Sequence, residues 1–463
     1  MNKITKTILL SLITSIIFTF SGCTPIELNI EKILTPPKLS DLQISITTAL
    51  ESAIDEEFSI KYPKNGQYSS GFNFIDLNDD GIDEALCFFK TKSKNTIKMA
   101  VLYCEDENWY VGEILSDLAY SGDINFVDYR EIGGKNKLLI GLQPDETSQS
   151  LLALYDCEQN IYGSFELNLN KMFDYSELLI TDFDGDGMTD ILFFELSDKF
   201  SGSSPNMYCF GIDEYDVLFS KGYQILPNDI LSFQNVQIGN IDSDTKCIII
   251  DAKLYDNNYT TYVYRIVDNE FLPLEMQEAN YRKIPVISSD IDNDGIIEIP
   301  YQNIAYGYDK QAGNAEYFID YIQFKITSEN NNIIAPESID QKTYIDYNNS
   351  IYFKIPKQWQ NPKLSIFTYQ DKSEIVFFIN ENDDVFDHKI TLLKIKVYSS
   401  QEVIDKLDVQ RYFDIANRNG KIYMGYLPMS DEENITDENK EIIKKYKDLI
   451  VTEQEIKDLF TIL

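Results

Sequence analysis

Three short acidic loops are the part of this 463-residue chain most suited to chemistry. They span residues 76–84, 182–190 and 290–298, and all three follow the pattern D-x-[DN]-x-D-G-x-x-[DE]. Alternate side chains of a tight loop can surround one hard cation, the glycine permits a sharp turn, and the acid at the last position closes the shell. Calcium accepts about six to eight oxygen ligands, so this donor set suits it. The loops therefore predict calcium sites.

The main rival interpretation is an EF-hand, which needs a glutamate at the twelfth loop position and a helix on either side. The twelfth positions here are Cys87, Phe193 and Tyr301, and the residues after each loop read as strands. The EF-hand interpretation therefore fails. A single loop of this kind could also be an Asx-turn hairpin without metal, but three full copies of the pattern favour metal binding.

The loops belong to a longer repeat, because two degenerate copies fill the gaps between them. Counted together, the copies begin at residues 76, 128, 182, 240 and 290, which is a period of roughly fifty residues. A period of this length with strand signals is typical of a β-propeller or a β-solenoid. In the first copy we expect strands at 72–75, 84–90, 97–104 and 108–115. The sequence predicts a mainly β protein with a propeller of about five four-stranded blades, or of six or seven if a blade has diverged.

The loops resemble the calcium-binding turns of FG-GAP/VCBS-type propeller repeats, found in integrin α-chain heads and many bacterial surface proteins. The resemblance covers roughly residues 65–340, and the chain lacks the Phe-Gly and Gly-Ala-Pro cores that name the family. It implies three calcium ions, each bound by four side chains and one backbone carbonyl. The side-chain ligands would be Asp76, Asn78, Asp80 and Glu84, then Asp182, Asp184, Asp186 and Asp190, then Asp290, Asp292, Asp294 and Glu298. The carbonyls would come from Ile82, Met188 and Ile296.

The ligand sets differ in strength, and the degenerate copies lack them. Asn78 replaces a carboxylate, so we expect the first site to be the weakest. In the copy at Asp128, residues 129–131 bring a tyrosine and an arginine instead of oxygen ligands. In the copy at 240, Thr245 replaces the glycine and Ile248 replaces the closing acid. Metal is not expected in these two copies.

The N-terminus reads as a bacterial lipoprotein signal peptide. Two lysines precede an apolar run from residue 8 to residue 20, which is too short to span a bilayer as a helix. The sequence Phe20-Ser21-Gly22-Cys23 resembles a lipobox, which implies removal of residues 1–22 and acylation of Cys23 by chains such as palmitate. Residues 23–38 would then tether the protein to the extracytoplasmic face of the cell membrane. The alternative is ordinary secretion with a free Cys23.

The charge of the chain limits its partners. It contains 76 acidic and 40 basic residues, for a net charge of −36. Such a surface repels polyanions, so we exclude nucleic acid and anionic lipid as partners. The expected partners are the membrane, through the lipid on Cys23, and an envelope protein or a glycan. We interpret the remaining cysteines as small buried hydrophobes and the sole histidine, His388, as a surface residue. These cysteines are Cys87, Cys104, Cys157, Cys209 and Cys247.

Non-repetitive segments flank the repeats on both sides. Ser40 and Gln43 form a capping box, so residues 39–64 should begin with an amphipathic helix that packs on the propeller, itself assigned to residues 65–342. Residues 343–463 are expected to form a separate α+β domain, because the period ends there. In that domain we expect strands near 351–355, 364–369, 374–380, 389–398 and 421–426, and helices at 399–408, at 437–449 and from a capping box at Thr452.

The opening of the α+β segment carries a second resemblance, which covers one strand. Phe353, Pro356 and Trp359 are spaced as in PsbP/Mog1-like domains. Trp359 could line a ligand site there, but core packing is the favoured interpretation of this side chain.

No catalytic constellation is visible in the sequence. It contains no Gly-x-Ser-x-Gly motif, phosphate loop, zinc spacing or Gly-rich dinucleotide turn, and one histidine argues against imidazole catalysis. We therefore expect a lipid-anchored, calcium-stabilised binding or scaffold protein of the cell envelope rather than an enzyme. The alternative is a carbohydrate-active protein, either a lectin or a glycoside hydrolase, that uses the propeller face. Two carboxylates about 5–10 Å apart in a central cleft would favour a hydrolase.

The lipobox interpretation makes the first testable prediction. Replacing Cys23 by Ala should abolish acylation and release the protein from membranes, because the thiol is the acceptor. Membrane fractionation of cells that express each form measures the effect, with Thr24→Ala as a control that keeps the thiol. A Cys23→Ala variant that fractionates with membranes as the parent does would contradict the interpretation.

Overall fold

The fold was analysed in a computed structural model, which describes residues 40–463 apart from 121, 145–148, 160–164, 198–201, 214, 216, 268–269, 278, 309–314, 328–331, 370–373, 382–384, 387, 389, 400–410 and 431–439. The predicted signal peptide, the tether and Cys23 lie outside these residues. The described chain is mainly β and forms several antiparallel sheets. None of its described helices is long and apolar enough to span a bilayer.

The chain enters the sheets through a capped helix, α1 (Asp41–Ala53). The side chain of Ser40 accepts a hydrogen bond from the backbone of Gln43, and the side chain of Gln43 accepts one in return, so the predicted capping box is confirmed. Ile46 and Leu50 on one face of α1 are fully buried against the first sheet. The helix therefore packs on the first sheet.

Four sheets follow in sequence order, and each is an antiparallel meander of neighbouring strands. Sheet A contains β1 (Phe58–Lys61), β2 (Asn73–Ile75), β3 (Glu84–Thr91), β4 (Thr96–Glu105) and β5 (Asn108–Tyr120). Sheet B contains β6 (Asp123–Ile132), β7 (Lys135–Gln143), β8 (Ser150–Gln159) and β9 (Phe165–Tyr175). Sheet C contains β10 (Glu177–Thr181), β11 (Asp190–Glu195), β12 (Asn206–Ile212) and β13 (Leu218–Ile225). Sheet D contains β14 (Ile230–Asn240), β15 (Lys246–Leu254), β16 (Tyr259–Val267) and β17 (Glu270–Met276).

Two further sheets complete the fold. Sheet E contains β18 (Ile299–Ile304), β19 (Tyr317–Ile326), β20 (Ile333–Asp346), β21 (Ile351–Lys354) and β27 (Phe460–Ile462), and its β20 pairs in parallel with β17 of sheet D. Sheet F contains β22 (Leu364–Thr368), β23 (Glu374–Ile379), β24 (Thr391–Tyr398), β25 (Phe413–Arg418) and β26 (Lys421–Tyr426). The remaining described helices are α2 (Lys440–Lys445), α3 (Glu453–Leu459) and 3₁₀ turns at Lys357–Trp359 and Lys447–Leu449.

Sheets A to E pack face to face in sequence order, with an apolar cluster between each pair. Successive residues of a strand point to opposite faces, so a strand inside this row must be apolar on both. In β7, for example, Ile140 packs toward sheet A and Leu139 toward sheet C. In β11, Phe193 packs toward sheet B and Phe194 toward sheet D. The continuous apolar runs that follow each loop in the sequence are explained by this double burial.

The first segments of successive repeats lie side by side. A parallel bridge joins Asn65 to Phe126 of β6, and another joins Asn240 of β14 to Ile296. Between sheets B and C, the guanidinium of Arg130 donates to the carbonyl of Ile180 at 3.2 Å. One edge of each sheet is therefore held against the same edge of the next.

Sheet E shares its core with the C-terminal segment, which was not expected. The predicted domain boundary at 342/343 falls inside β20, and Thr343 pairs with Lys354 of β21. Phe318 and Tyr344 belong to the same apolar cluster as Trp359. The expectation that few backbone pairings cross this boundary is therefore wrong, because β20 pairs with the repeat on one edge and with β21 on the other.

Several smaller expectations can be compared with the structure. The capping box at Thr452 is confirmed, the helix expected at 437–449 is divided into α2 and a 3₁₀ turn, and the one expected at 399–408 lies almost wholly outside the described residues. Trp359 is fully buried and donates to the carbonyl of Leu449 at 2.7 Å, as expected of a core residue.

The expectations for His388 and the cysteines hold only in part. His388 is half-buried beside the rings of Phe367 and Phe378 rather than a surface residue. Three cysteines are buried as expected, whereas Cys104 and Cys157 are only partly buried.

A buried ion pair holds sheets D and E together. The guanidinium of Arg282, which precedes sheet E, lies 3.2 Å from the carboxylate of Asp251 on β15, and both residues are only 1% exposed. Arg282 also donates to Thr261 of β16 and to the carbonyl of Pro300 on β18. Asp251 in turn accepts hydrogen bonds from the backbone and side chain of Ser288. The charges of Arg282 and Asp251 therefore compensate each other in the interior of the protein.

Removing one partner of this pair should be costly. We predict that Asp251→Asn lowers the free energy of unfolding by roughly 3–5 kcal/mol, because it leaves the Arg282 charge buried and uncompensated. Urea unfolding measures the loss. The control is Glu57→Gln at the exposed pair of Glu57 and Lys92, where the loss should stay below about 1 kcal/mol. Equal losses in both variants would contradict this role for the buried pair.

Candidate metal sites in the acidic loops

The three loops adopt similar backbone turns, which explains their sequence pattern. In the first and third loops the fourth and sixth positions have positive φ, with values of 58° and 85° at Asp79 and Gly81. The second loop has glycine at both positions, with φ of 81° at Gly185 and 87° at Gly187. Aspartate, asparagine and glycine tolerate this left-handed conformation better than other residues. The turn is therefore encoded at two positions, although only the glycine is part of the pattern.

The first aspartate of each loop ties the turn together from inside. Asp76 accepts hydrogen bonds from the backbone of Asp80 and Gly81, and Asp290 does the same for the third loop. In the second loop Asp182 accepts from the backbone of Gly185 at 2.7 Å and of Gly187 at 3.0 Å. These bonds draw the acidic side chains toward one centre.

The residues expected to bind metal through their backbone carbonyl oxygens stand at the seventh position of each loop. The backbone N–H groups of Ile82, Met188 and Ile296 donate to the preceding aspartates at 2.8 Å. The side chains of Ile82 and Met188 are exposed. Exposed side chains fit residues that would bind metal through the backbone carbonyl oxygen alone.

The last acid of each loop, which we name the closing acid, is buried where the strand after the loop begins, at β3, β11 and β18. Glu84, Asp190 and Glu298 are 3%, 1% and 0% exposed. Each accepts a hydrogen bond from the backbone N–H of the second loop residue, at 2.8 Å from Leu77 and 2.9 Å from Ile291. The closing acids are thus anchored at one end of a doubly buried strand.

Burial makes these carboxylates costly to ionise. Burial raises the pKa of Glu84 to about 7, with a further rise from the charges of Asp80 and Asp76. Burial likewise raises the pKa of Glu298 to about 7, with further rises from Asp340, Asp292 and Asp294. Each cluster would therefore gain from a cation that neutralises it.

The third loop fits a hard cation best. Carboxylate oxygens of Asp290, Asp292 and Asp294 lie within 4.8 Å of one another. Glu298 is fully buried, and its Oε1 atom has no hydrogen-bond partner among the described residues. Three clustered aspartates followed by a closing acid with an unpartnered buried oxygen supply the kind of donors that calcium prefers.

The first loop fits a cation with fewer charges. Its Asn78 amide donates to Glu84 at 3.0 Å, while the amide oxygen accepts from the backbone of Asp80. Asp76 and Asp80 supply the remaining carboxylates. Hydrogen bonds link the predicted side-chain ligands within this loop, but its acids do not form one of the close carboxylate clusters found among the described residues, and the amide already satisfies one oxygen of the closing acid.

The second loop already contains a cation, the ammonium of Lys221 on β13. Its Nζ atom lies 2.9 Å from Asp184, 2.7 Å from Asp186 and 2.9 Å from Asp190, and the side chain is 3% exposed. Burial alone would lower the pKa of Lys221, but the hydrogen bonds to the three carboxylates outweigh it and raise the pKa. The structure brings the acidic side chains of this loop together, but around an ammonium that the loop sequence does not reveal.

The degenerate copies have different turns. At the copy that begins with Asp128, Ile132 pairs with Lys135 around Gly133 and Gly134, both of which have positive φ, so a two-residue hairpin replaces the acidic loop. In the copy at 240, Asp242 accepts from the backbone of Asp244 and Thr245.

A cleft of about 710 Å³ lies along the first strands of sheets B and C. Its walls include the aromatic rings of Phe126 and Tyr175 and the carboxylates of Asp128 and Glu177. The Asp128 carboxylate lies 2.5 Å from the guanidinium of Arg130, which neutralises it. The sequence gives no local signal for this cleft, because sheets B and C and the segment between β1 and β2 all line it.

Comparisons with known proteins do not assign the chain to a family. No family model and no curated protein matches it. Similar solved structures include Sqt1 from Chaetomium thermophilum, with 10% identity, a TM-score of 0.28 and coverage of 64% of this chain and 67% of that chain. A putative 6-phosphogluconolactonase from Bacteroides uniformis has 11% identity, a TM-score of 0.26 and coverage of 70% and 92%. The Photorhabdus luminescens Tc holotoxin pore has 10% identity, a TM-score of 0.21 and coverage of 74% and 16%. Likenesses at this level define neither a fold family nor a function.

The raised pKa values of the closing acids predict how stability depends on pH. Glu84 and Glu298 have folded pKa values of about 7 against an ordinary value of 4.5, so the calcium-free folded state binds more protons than the unfolded chain between these pH values. Their contribution to stability is therefore lost as pH rises through about 7. Without calcium, the melting temperature of Glu84→Gln/Glu298→Gln should fall less than that of the parent between about pH 5 and 7.5. Equal pH profiles would contradict the assignment.

Proposed function

We propose that this protein is a calcium-stabilised binding or scaffold protein of the bacterial cell envelope, anchored by lipid on Cys23. The observation that carries the proposal is the third loop. There, three carboxylates lie within 4.8 Å of one another beside the fully buried Glu298, one oxygen of which lacks a partner. Buried charges of one sign need a compensating cation. Carboxylate oxygens from a flexible loop favour calcium over softer metals.

The proposal includes a propeller architecture for sheets A to E. Its support is that these sheets are consecutive antiparallel meanders, that each packs on the next, and that the first segments of successive repeats lie side by side. Four-stranded blades around an axis have this arrangement. Each acidic loop joins the first segment of a repeat to the strand that follows it, so a calcium ion there would fix the innermost turn of a blade. The FG-GAP/VCBS likeness of the loops points the same way.

The proposed location outside the cytoplasm fits both the anchor and the metal. Calcium is abundant outside cells, so sites of modest affinity can fill there. The excess of acidic over basic residues, 76 against 40, keeps such a surface soluble and away from polyanions. The row of rigid sheets would then present loops to an envelope protein or glycan.

The alternative function, carbohydrate binding or hydrolysis, is supported by the cleft. Aromatic rings of Phe126 and Tyr175 stand there with the polar groups of Asn125, Gln143 and Ser150. Rings with a few convergent polar groups are typical of small-molecule sites. Among the two carboxylates, that of Asp128 is paired with Arg130, which favours a lectin over a hydrolase. A glycan array probed with the parent and with Tyr175→Ala would test this alternative separately.

Thermal unfolding with calcium or with chelator tests the main proposal. Calcium at about 100 times its dissociation constant stabilises a folded protein by about 2.7 kcal/mol per site, so the melting temperature should rise clearly. Glu298→Gln should reduce the rise, because it removes a carboxylate from the third loop. Glu177→Gln, which alters the cleft and no loop, should keep it. Equal melting temperatures of the parent in calcium and in chelator would contradict the proposal.

A further inference from the structure

A β-bulge occurs at an equivalent place on one strand in each of four sheets. At each of these bulges one residue has no partner opposite it on the preceding strand: Gly112 in β5, Asn170 in β9, Lys221 in β13 and Asp340 in β20. The strand register shows that these bulges are equivalent. Each bulge residue lies between the partners of two residues on the preceding strand, and those two residues pair in turn with the two residues that follow the closing position. For sheet C these residues are Ile191 and Leu192, directly after Asp190. We name these four positions the bulge residues.

A bulge re-aims a side chain relative to the rest of its strand. In sheet C the bulge residue is Lys221, and its ammonium contacts three acids of the loop. In sheet B the bulge residue is Asn170, which donates to Asp156 at 2.9 Å, and Asp156 neutralises a lysine at the closing position. That lysine, Lys137, is fully buried. In both sheets the bulge residue therefore makes a polar contact with the charged groups around the closing position.

In sheet E the bulge residue carries the opposite charge. One oxygen of Asp340 accepts from the hydroxyl of Ser338 at 2.9 Å, while the other, Oδ2, is buried and has no partner among the described residues. Asp340 therefore places an unpartnered carboxylate oxygen at the register position from which Lys221 contacts the closing acid of sheet C.

In sheet A the bulge residue is glycine and adds no charge. A Cβ atom at Gly112 would lie 2.2 Å from the ring of Tyr103, so the ring fills the space that a longer bulge side chain would need. Tyr103 lies next to Leu102, the partner of Ala85 that follows the closing acid Glu84. The first loop therefore depends on its own ligands alone.

We propose that the bulge residue decides which cation each loop holds. Lys221 supplies a built-in ammonium that keeps the 182–190 loop free of metal, Asp340 adds a carboxylate ligand to the 290–298 loop, and Gly112 leaves the 76–84 loop with four side-chain ligands. The protein then binds two calcium ions rather than three, most tightly at 290–298. This inference rests on the proposed calcium-binding function.

The physical reason lies in the cost of displacing the ammonium. A calcium ion in the second loop would repel Lys221 from its three carboxylates, and the side chain is only 3% exposed. An ammonium buried without its partners is strongly unfavourable. In the third loop the same place holds an acid, so a divalent cation meets added attraction instead of repulsion.

Calcium titration by calorimetry, with metal content measured after dialysis, tests the inference on the full chain. The parent should bind two ions, and Lys221→Met should bind three, because the acids of the second loop lose their ammonium. Asp340→Asn should keep two ions but weaken the tighter one by about tenfold, since calcium affinity follows ligand charge. The control Lys171→Met removes an exposed lysine beside the sheet B bulge and should leave the count at two.

The outcomes separate the two proposals. If the parent binds no calcium, the proposed function and the inference both fail. If the parent binds three ions, or if Lys221→Met still binds two, the inference is overturned while a calcium-stabilised scaffold stands. If Lys221→Met folds only in calcium, its metal content and that of Lys221→Gln purified in calcium should still reach three ions, and a content of two would overturn the inference.

Discussion

The structure depends on one electrostatic constraint: in sheets A, C and E a carboxylate is buried where β3, β11 and β18 begin. Glu84, Asp190 and Glu298 sit there because the strand that follows is apolar on both faces and packs between two neighbours. A buried acid with other acids around it is stable only with a positive charge or a proton nearby. The turn of the loop, the bulge residue and the cation that the loop holds together determine how this buried charge is compensated.

The sheets compensate the buried charge in different ways with the same arrangement of strands. Sheet C uses the ammonium of Lys221, and sheet B inverts the charges, with Lys137 buried at the closing position and Asp156 as its partner. Sheet E accumulates acids and adds Asp340, which leaves two carboxylate oxygens without partners among the described residues. The same arrangement of strands therefore contains internal ion pairs in some repeats and candidate metal sites in others. This agrees with the proposal that a single residue decides which cation a loop holds.

The sequence predicted what local spacing encodes. The loops, their closing acids, the helix α1 and the strands of the first repeat follow from patterns within a few residues, and their positions agree with the structure to within a few residues. Lys221 and Asp340 were out of reach, because a bulge breaks the period-two pattern and places each residue opposite a loop far away in sequence. The boundary at 342/343 was misplaced for a similar reason, since β20 belongs to two packing units at once. Pairing across sheets, as between Arg282 and Asp251, leaves no local signal either.

Anomalous diffraction from crystals grown in calcium tests the central claim most directly, because it locates each cation. The account predicts anomalous peaks inside the 76–84 and 290–298 loops, with the carboxylate of Asp340 bound to the second ion. It also predicts that the ammonium of Lys221 stays among Asp184, Asp186 and Asp190, with no peak between them. A calcium peak inside the 182–190 loop, with Lys221 turned away, would contradict the account.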